Sequence, residues 1–303
     1  MTGSVLLFVS YGAIIVFVIG LIYRGGKIAK MPVHLRWELA PVPHEKGKGS
    51  YGGSYLEEFE WWTKKREKSL ISELWYMFQE IIFLKGVWEH KRGLWFSSFP
   101  FHFGGFYLVG GMIGLSVVSV LLQFGSIQIA GLDYLISLLA VAGYLLGCIG
   151  ALGLLYRRVS DPEITPFTTF TTIFNLLFLL AIFASGVFAF SRVGNYGGLM
   201  SGYIKSLLTA NTAMALPRSF SVHVFLGSLF LIYLPFTYMM HFVAKYFTYH
   251  EIRWNDEPMK AGCSMEKEVE QLLGQKVTWD APHIKGEGKK TWVDVATEEV
   301  KDA

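Results

Sequence analysis

The chain has 303 residues, of which 52% are hydrophobic and 17% are charged. Its formal net charge is +3 and its mean hydropathy is +0.38. Since soluble domains carry about a quarter charged residues, this composition excludes an ordinary soluble protein, and the small net charge gives no reason to expect a nucleic-acid partner. The two cysteines, Cys148 and Cys263, are too few for a four-cysteine iron–sulfur cluster. No CxxC motif occurs either, so any redox centre in this chain needs other ligands.

Five apolar runs are each long enough to cross a bilayer, since about 20 helical residues span its hydrocarbon core. They cover about residues 5–23, 99–122, 132–155, 167–190 and 219–247. The first run has no basic segment before it and no small-residue cleavage site after it, so it is predicted to be a retained helix and not a signal peptide. The sequence therefore predicts an all-α integral membrane protein that is built as a five-helix bundle.

Basic residues in the flanking segments predict the orientation of the bundle. Arg24, Lys27 and Lys30 follow the first run, and Arg157 and Arg158 follow the third. The segment before the first run and the loop after the second carry no Lys or Arg. The positive-inside rule then places the N-terminus outside and the C-terminus in the cytoplasm. Residues 1–247, including a long cytoplasmic loop over 24–98, are predicted to form the membrane domain, and residues 248–303 a cytoplasmic docking tail.

The long loop and the tail carry features of a docking surface. The stretch LWYMFQEIIFLKGVW is too short and too interrupted to span the bilayer, and it predicts an amphipathic helix that lies on the membrane or beneath a partner. Tryptophans are typical aromatic anchors at interfaces. The two segments contain Trp61, Trp62, Trp254, Trp279 and Trp292. We therefore predict that the loop and the tail dock a partner protein; the alternative is a loop that packs on itself.

Three histidines fall inside the apolar runs: His102, His223 and His241. A polar ring in hydrocarbon is costly without a partner, so each is a functional candidate. In a continuous helix the eighteen residues from His223 to His241 make five turns, which puts both rings on one face about 27 Å apart. Neutral imidazole is a common axial ligand of haem iron. Because His102 begins the second run at the side where the fifth ends, His102 and His241 are predicted to hold one haem iron; plain interhelical hydrogen bonding is the alternative.

Five glycines follow His102 in the second run: Gly104, Gly105, Gly110, Gly111 and Gly114. Glycine weakens a helix, but it lets a flat porphyrin or a neighbouring helix come close. The second run is therefore predicted to face a haem or another helix at short distance.

The segments FHFGGFYLVGG and HVFLGSLFLIYLPFTYMMH, together with the five runs, resemble the cytochrome b gamma subunit of respiratory nitrate reductase. Members of that family carry a histidine pair ten residues apart on the second span and a pair eighteen apart on the fifth. They hold two b haems between the helices and oxidise a quinol. The long first loop and the tail more closely resemble the membrane cytochrome b subunits of Tmc- and Dsr-type redox complexes of sulfate-reducing bacteria. Those subunits work with a cytoplasmic iron–sulfur subunit similar to heterodisulfide reductase.

This resemblance implies a b-type cytochrome subunit of the bacterial inner membrane. It would transfer electrons between menaquinone and the cytoplasmic iron–sulfur subunit, with a periplasmic multihaem cytochrome c as a further partner. The chain would then be the electron-transfer subunit of an oxidoreductase complex. Two alternatives from other classes are a cofactor-free membrane anchor and a proton-conducting, transporter-type subunit whose histidines relay protons.

The resemblance assigns His102 and His241 to an inner haem and His223 to an outer one, but Met112 stands where the family has its second histidine of span two. Two interpretations stay open. Either Met112 and His223 hold a second haem iron through a thioether and an imidazole, or Met112 packs like an ordinary apolar side chain and the outer haem is five-coordinate or absent. The resemblance also places a quinone near Gly111, Met112 and His223.

Three arginines lie where haem propionates would point. Arg157 and Arg158 end the third run on the predicted inner side, and Arg218 precedes His223 on the outer side. We expect at least one arginine on each side to pair with a propionate. The alternative is that these charges only set the topology.

Overall fold

The structure, a computed structural model, describes residues 3–31, 59–60, 63, 69–249, 261–278 and 288–298. Within these ranges the chain is mostly helical, and its β structure is one isolated antiparallel bridge between Lys276 and Thr291. A π-helix, Phe103–Leu108, joins α4 to α5 and is called the π segment below. The α-helices are α1 (Gly3–Ala29), α2 (Leu70–Ile82), α3 (Lys85–His90), α4 (Arg92–His102), α5 (Val109–Phe124), α6 (Leu132–Ser160), α7 (Phe170–Ser191), α8 (Tyr196–Thr209), α9 (Arg218–Tyr233), α10 (His241–Tyr249), α11 (Ser264–Leu273) and α12 (Trp292–Thr297).

Five helical segments of the described chain are long and apolar enough to cross a membrane, which confirms the predicted number of spans. They are Gly3–Ala29, Arg92–Phe124, Leu132–Ser160, Phe170–Ser191 and Arg218–Phe236. Helix α8, between the fourth and fifth spans, is a further element that the apolar runs do not predict. Contacts between residues divide the chain into two compact units: the first holds residues 1–20 and 77–237, and the second holds residues 21–76 and 238–303.

In the first unit, α6 packs against α4, the π segment, α5, α7 and α8. Its contact with the second span runs along glycines. A Cβ on Gly150 would lie 2.3 Å from the backbone nitrogen of Phe101, and one on Gly143 would lie 2.9 Å from the carbonyl oxygen of Gly104. Because no side chain fits there, the two backbones touch directly, as small residues allow in membranes. The prediction that glycines of the second span admit a neighbouring helix is confirmed for this contact.

The other glycines of the second span have different surroundings. A Cβ on Gly105 would lie 2.4 Å from the Phe183 ring of α7. Gly110 and Gly114 have no described neighbour within 4 Å of a Cβ, and Gly111 has only the Leu139 side chain at 3.8 Å. Gly104 and Gly105 therefore allow close helix packing, whereas Gly110 and Gly114 leave open space beside α5.

The second span begins earlier than predicted and is not α-helical throughout. Helix α4 starts at Arg92, and Pro100 lies inside it. Proline removes a backbone N–H and crowds the carbonyl four residues earlier. The π segment follows directly after His102, where this proline and two glycines weaken the α-helical hydrogen bonding. Such π-helical turns are rare and are frequently found at functional sites.

The fifth span is interrupted, which corrects the prediction of one continuous helix over residues 219–247. Helix α9 ends at Tyr233, and after a short 3-10 turn the backbone of Thr237 is extended, with φ −114° and ψ 170°. Pro235 explains the break, because a proline inside a helix removes a hydrogen bond and clashes with the preceding turn. His241 therefore starts a separate helix, α10, and the spacing argument that assumed one continuous helix no longer applies to His223 and His241.

The stretch predicted to be one amphipathic helix forms two helices, α2 and α3, with a break at Leu84, whose φ is 52°. The apolar side chains of α2 are exposed: Leu70, Ile71, Leu74, Trp75, Phe78 and Ile81. The end of the helix is tied to the second span, because the Tyr107 hydroxyl donates to the Ile81 carbonyl at 2.7 Å. The Trp95 indole N–H likewise donates to the Phe83 carbonyl at 2.7 Å. The predicted position of this stretch on the membrane or beneath a partner stays a prediction.

The second unit contains α10, α11 and α12. Val277 is buried there, and its N–H donates to the Lys290 carbonyl at 2.9 Å. Helix α12 begins with a capping box in which hydrogen bonds from Thr291 lower the pKa of the Asp294 carboxyl. Trp292 starts this helix, whereas Trp61, Trp62, Trp254 and Trp279 lie outside the described residues. The predicted boundary after residue 247 and the docking role of the tail stay predictions.

The substitution Gly150→Ala is expected to lower stability, because the new methyl group would lie 2.3 Å from the backbone of Phe101. Overpacking of this kind costs about 1–3 kcal/mol of unfolding free energy. Gly114→Ala is the matched control, since its Cβ meets open space. It is expected to leave stability unchanged or to raise it by up to about 1 kcal/mol. Denaturant titration in detergent measures both variants, and equal effects would contradict the direct backbone contact.

Candidate functional site

His102 is the last residue of α4, and its ring is held by its own helix. Nδ1 lies 2.8 Å from the carbonyl oxygen of Ser98, one turn earlier, so Nδ1 carries a hydrogen and donates it. In the neutral ring the lone pair is then on Nε2. Metal-binding imidazoles typically have this arrangement, in which the other ring nitrogen donates to a backbone carbonyl. Phe101 and Phe106 lie beside the ring, with centroids 5.3 and 5.9 Å away.

His223, on α9, is 7% exposed, and both of its ring nitrogens have partners on other helices. Nδ1 lies 3.0 Å from Oγ of Ser185 on α7. The Ser185 hydroxyl donates its one hydrogen to the Ile182 carbonyl at 2.7 Å, so the His223 Nδ1–H must be the donor to Ser185. Nε2 lies 2.9 Å from the hydroxyl of Tyr144 on α6. Since Nδ1 carries the hydrogen, Nε2 accepts this second bond.

Tyr144 is the centre of these contacts. It is 1% exposed, and its Oη lies 2.8 Å from the hydroxyl of Tyr196 on α8. The sulfur of Met112 on α5 lies 3.7 Å away. When the one Tyr144 hydrogen goes to His223, Tyr196 is the donor to Tyr144. The Met112 sulfur is a second, weaker acceptor within reach of the same Tyr144 hydroxyl. We call Met112, Tyr144, Ser185, Tyr196 and His223 the Tyr144 cluster; it joins five helices.

The three arginines predicted to meet haem propionates lie at the ends of helices. Arg157 forms an ion pair with Asp161, with an N–O distance of 2.9 Å. Arg158 follows it and is half-buried, and Arg218 is the exposed first residue of α9. Their pairing with propionates stays a prediction.

The two histidines predicted to share an iron belong to different units of the chain. His102 is in the first unit, and His241 begins α10 in the second. The pairing of His102 with His241 therefore stays a prediction as well.

A protein-family model for the nitrate reductase gamma subunit matches residues 87–255, which is more than half of the chain. The matched range includes His102, Met112, His223 and His241. A search of curated proteins and a search of solved structures each found no match. The chain belongs to the nitrate reductase gamma subunit family.

Nitrate reductase gamma subunits are membrane b-type cytochromes that transfer electrons within multisubunit redox complexes. Membership confirms the family that the histidine segments resemble, and it makes this chain a multi-pass membrane protein of a family that binds haem b. It also favours electron transfer over the two alternatives, a cofactor-free anchor and a transporter-type subunit.

The surroundings of His102 fit a haem b, whereas those of His223 and Met112 do not. At His102 the ring is oriented by a backbone carbonyl and its lone pair is on Nε2, which fits an axial ligand. The Tyr144 cluster does not fit an iron held by His223 and Met112, because the Tyr144 hydroxyl contacts both side chains and is hydrogen-bonded to Nε2 of His223. A second haem stays a prediction that requires Tyr144 to leave this position.

Tyr144, Tyr196 and Ser185 are site residues that the sequence analysis does not identify. A signal for Tyr144 exists, because its phenol lies inside the apolar run LLAVAGYLLGCIG. A buried hydroxyl in hydrocarbon needs a partner for the same reason that a histidine does. By this argument Tyr144 belongs with the three histidines among the polar groups of the apolar runs that need a partner.

Tyr144→Phe is expected to destabilise the protein, because it leaves His223 Nε2 and the Tyr196 hydroxyl buried without their partner. An unsatisfied buried polar group costs about 1–3 kcal/mol. Tyr134→Phe is the matched control on the same helix, since Tyr134 is 74% exposed, and it should leave stability unchanged. Unfolding in detergent compares the two variants, and a neutral Tyr144→Phe would show that the hydroxyl is dispensable.

Proposed function

We propose that this cytochrome transfers electrons between menaquinone and a cytoplasmic iron–sulfur subunit, through a haem b held by His102 and His241. The observation that carries the proposal is the 2.8 Å bond from His102 Nδ1 to the Ser98 carbonyl. It supports a ring that is fixed in one orientation with Nε2 as the ligand atom. When bound, the haem supplies one-electron chemistry at its iron, and the residues of the chain bind and orient it.

A stack of aromatic rings on α4 and the π segment supports a haem at this end of the bundle. Trp95 and Phe99 stack with centroids 4.5 Å apart, and Phe99 and Phe103 follow at 5.2 Å. Large apolar rings exclude water and present flat surfaces, which are the properties of cofactor pockets. The stack ends one residue beyond His102, so the ligand and the apolar surface lie on the same helical segment.

The distribution of basic residues supports an outside N-terminus and a cytoplasmic location for α10, the tail and the long loop. The loop and the tail would then dock an iron–sulfur subunit of the Tmc or Dsr type, which is similar to heterodisulfide reductase. A periplasmic multihaem cytochrome c would exchange electrons on the other side. These partners place the complex in a bacterial inner membrane.

For the propionates of the inner haem, Arg157 is the stronger candidate. Its ion pair with Asp161 holds the guanidinium at the end of α6, and a bidentate arginine suits a carboxylate. Arg158 is the alternative on the same side. Arg218 would have this role only beside an outer haem.

We place the quinone head group beside α5 at Gly111. Gly110 and Gly114 leave open space along this helix, which supports the close approach of a flat ring. Gly111 is nine residues from His102 on the same helical span. A quinone at this position would therefore lie on the same span as the haem ligand.

His102→Ala and His241→Ala are each expected to lose the low-spin b-type α band of the dithionite-reduced protein, because one axial imidazole is missing. His90→Ala is the matched control, since His90 is exposed at the end of α3, and its spectrum should be unchanged. Full low-spin haem in both variants would rule out the assignment. If only His102→Ala loses the low-spin haem band, His102 remains a ligand and His241 is not one.

A photoreactive menaquinone analogue is expected to label residues of α5 near Gly111 in the intact complex, and excess menaquinone should compete with it. Mass spectrometry of the labelled peptides locates the site. Gly111→Leu should reduce labelling by filling the open space, whereas Gly12→Leu on α1, which also meets open space, should not. Labelling confined to residues 92–102 or to α10 would contradict this position.

A further inference from the structure

We infer that this chain holds one haem b and not two, and that Tyr144 takes the place of an iron as the partner of His223. The inference rests on the proposed function for the haem at His102. It concerns the predicted outer haem, which His223 would hold together with the residue at position 112. The family that this chain resembles has a histidine there, and this chain has Met112.

Both ring nitrogens of His223 are hydrogen-bonded within the Tyr144 cluster, and one assignment of the hydrogens follows from Ser185. The Ser185 hydroxyl gives its hydrogen to a backbone carbonyl, so His223 donates from Nδ1. The lone pair on Nε2 then accepts the hydrogen of Tyr144 at 2.9 Å. A histidine binds iron through a ring-nitrogen lone pair, and in this arrangement His223 has no such lone pair left.

The Tyr144 ring packs against α7 in a slot that exists because residue 186 is a glycine. A Cβ on Gly186 of α7 would lie 2.8 Å from each of three atoms of the ring, Cγ, Cδ1 and Cδ2. Any side chain at position 186 would therefore displace the tyrosine. The His223 ring meets Tyr144 edge to face, with centroids 4.9 Å apart and an interplanar angle of 75°. The space between α6, α7 and α9 is thus filled by a close-packed tyrosine.

Met112 is placed as a packing residue. It is 1% exposed, and its backbone carbonyl accepts the Ser116 hydroxyl at 2.8 Å. The Tyr144 hydroxyl contacts both its sulfur, at 3.7 Å, and the His223 ring. A flexible thioether commonly fills irregular gaps in apolar cores. An iron held by Met112 and His223 would need Tyr144 to move out of the Gly186 slot and would leave the Tyr196 hydroxyl without its acceptor.

The haem content per chain tests the inference. The pyridine haemochrome assay measures it in membranes that contain the full complex. The cells are supplied with a haem precursor so that haem supply does not limit binding. The α band separates haem b from c-type haem. One haem b per chain is expected. Two haems per chain would overturn the inference while leaving the proposed function intact, whereas no haem b at all would overturn the proposed function itself.

The variants His223→Gln and Tyr144→Phe provide a second measurement. Both are expected to keep the wild-type haem b content and midpoint potential, because neither residue touches a haem. His102→Ala, which should lose the haem, shows that the assay detects a lost ligand. Loss of haem or a shifted potential in correctly inserted His223→Gln would overturn the inference. If that variant does not accumulate, the wild-type stoichiometry and Tyr144→Phe decide.

Discussion

The direct backbone contact between α6 and the second span determines where the functional groups of the first unit lie. Helices in lipid gain little from burying apolar surface, so close packing through small residues has to hold them together. Gly143 and Gly150 provide that packing against Gly104 and Phe101. The same helix carries Tyr144, six residues before Gly150 and about 9 Å away along the axis. One helix therefore positions both the segment that bears His102 and the hydroxyl that meets His223.

Some polar groups inside the bundle bond across helices, whereas several buried serines bond to their own helix. Ser10 of α1 bonds to Tyr203 of α8 at 2.7 Å and to Ser228 of α9 at 3.1 Å. Because hydrocarbon offers no water to bond, each such pair also fixes which helices are neighbours. His223 follows this pattern, whereas His102 bonds to the backbone of its own helix. These two histidines thus have different chemistry: His223 connects helices, and His102 has an oriented ring that suits a metal ligand.

The five spans and the family are predictable from sequence, because long apolar runs can cross a bilayer only as helices and the histidine segments are specific. The break in the fifth span has a visible cause in Pro235, yet residue spacing alone treats the run as one helix. The π segment depends on Pro100 and on the close packing of the glycines that follow it against α6 and α7, which residue spacing alone does not show. The Tyr144 cluster depends on five helices meeting at one hydroxyl, which no single segment encodes.

The slot at Gly186 links two positions that are 42 residues apart in the chain. A larger residue at position 186 excludes the Tyr144 ring, and a smaller residue at position 144 leaves a void beside α7. During divergence these two positions are therefore constrained to change together.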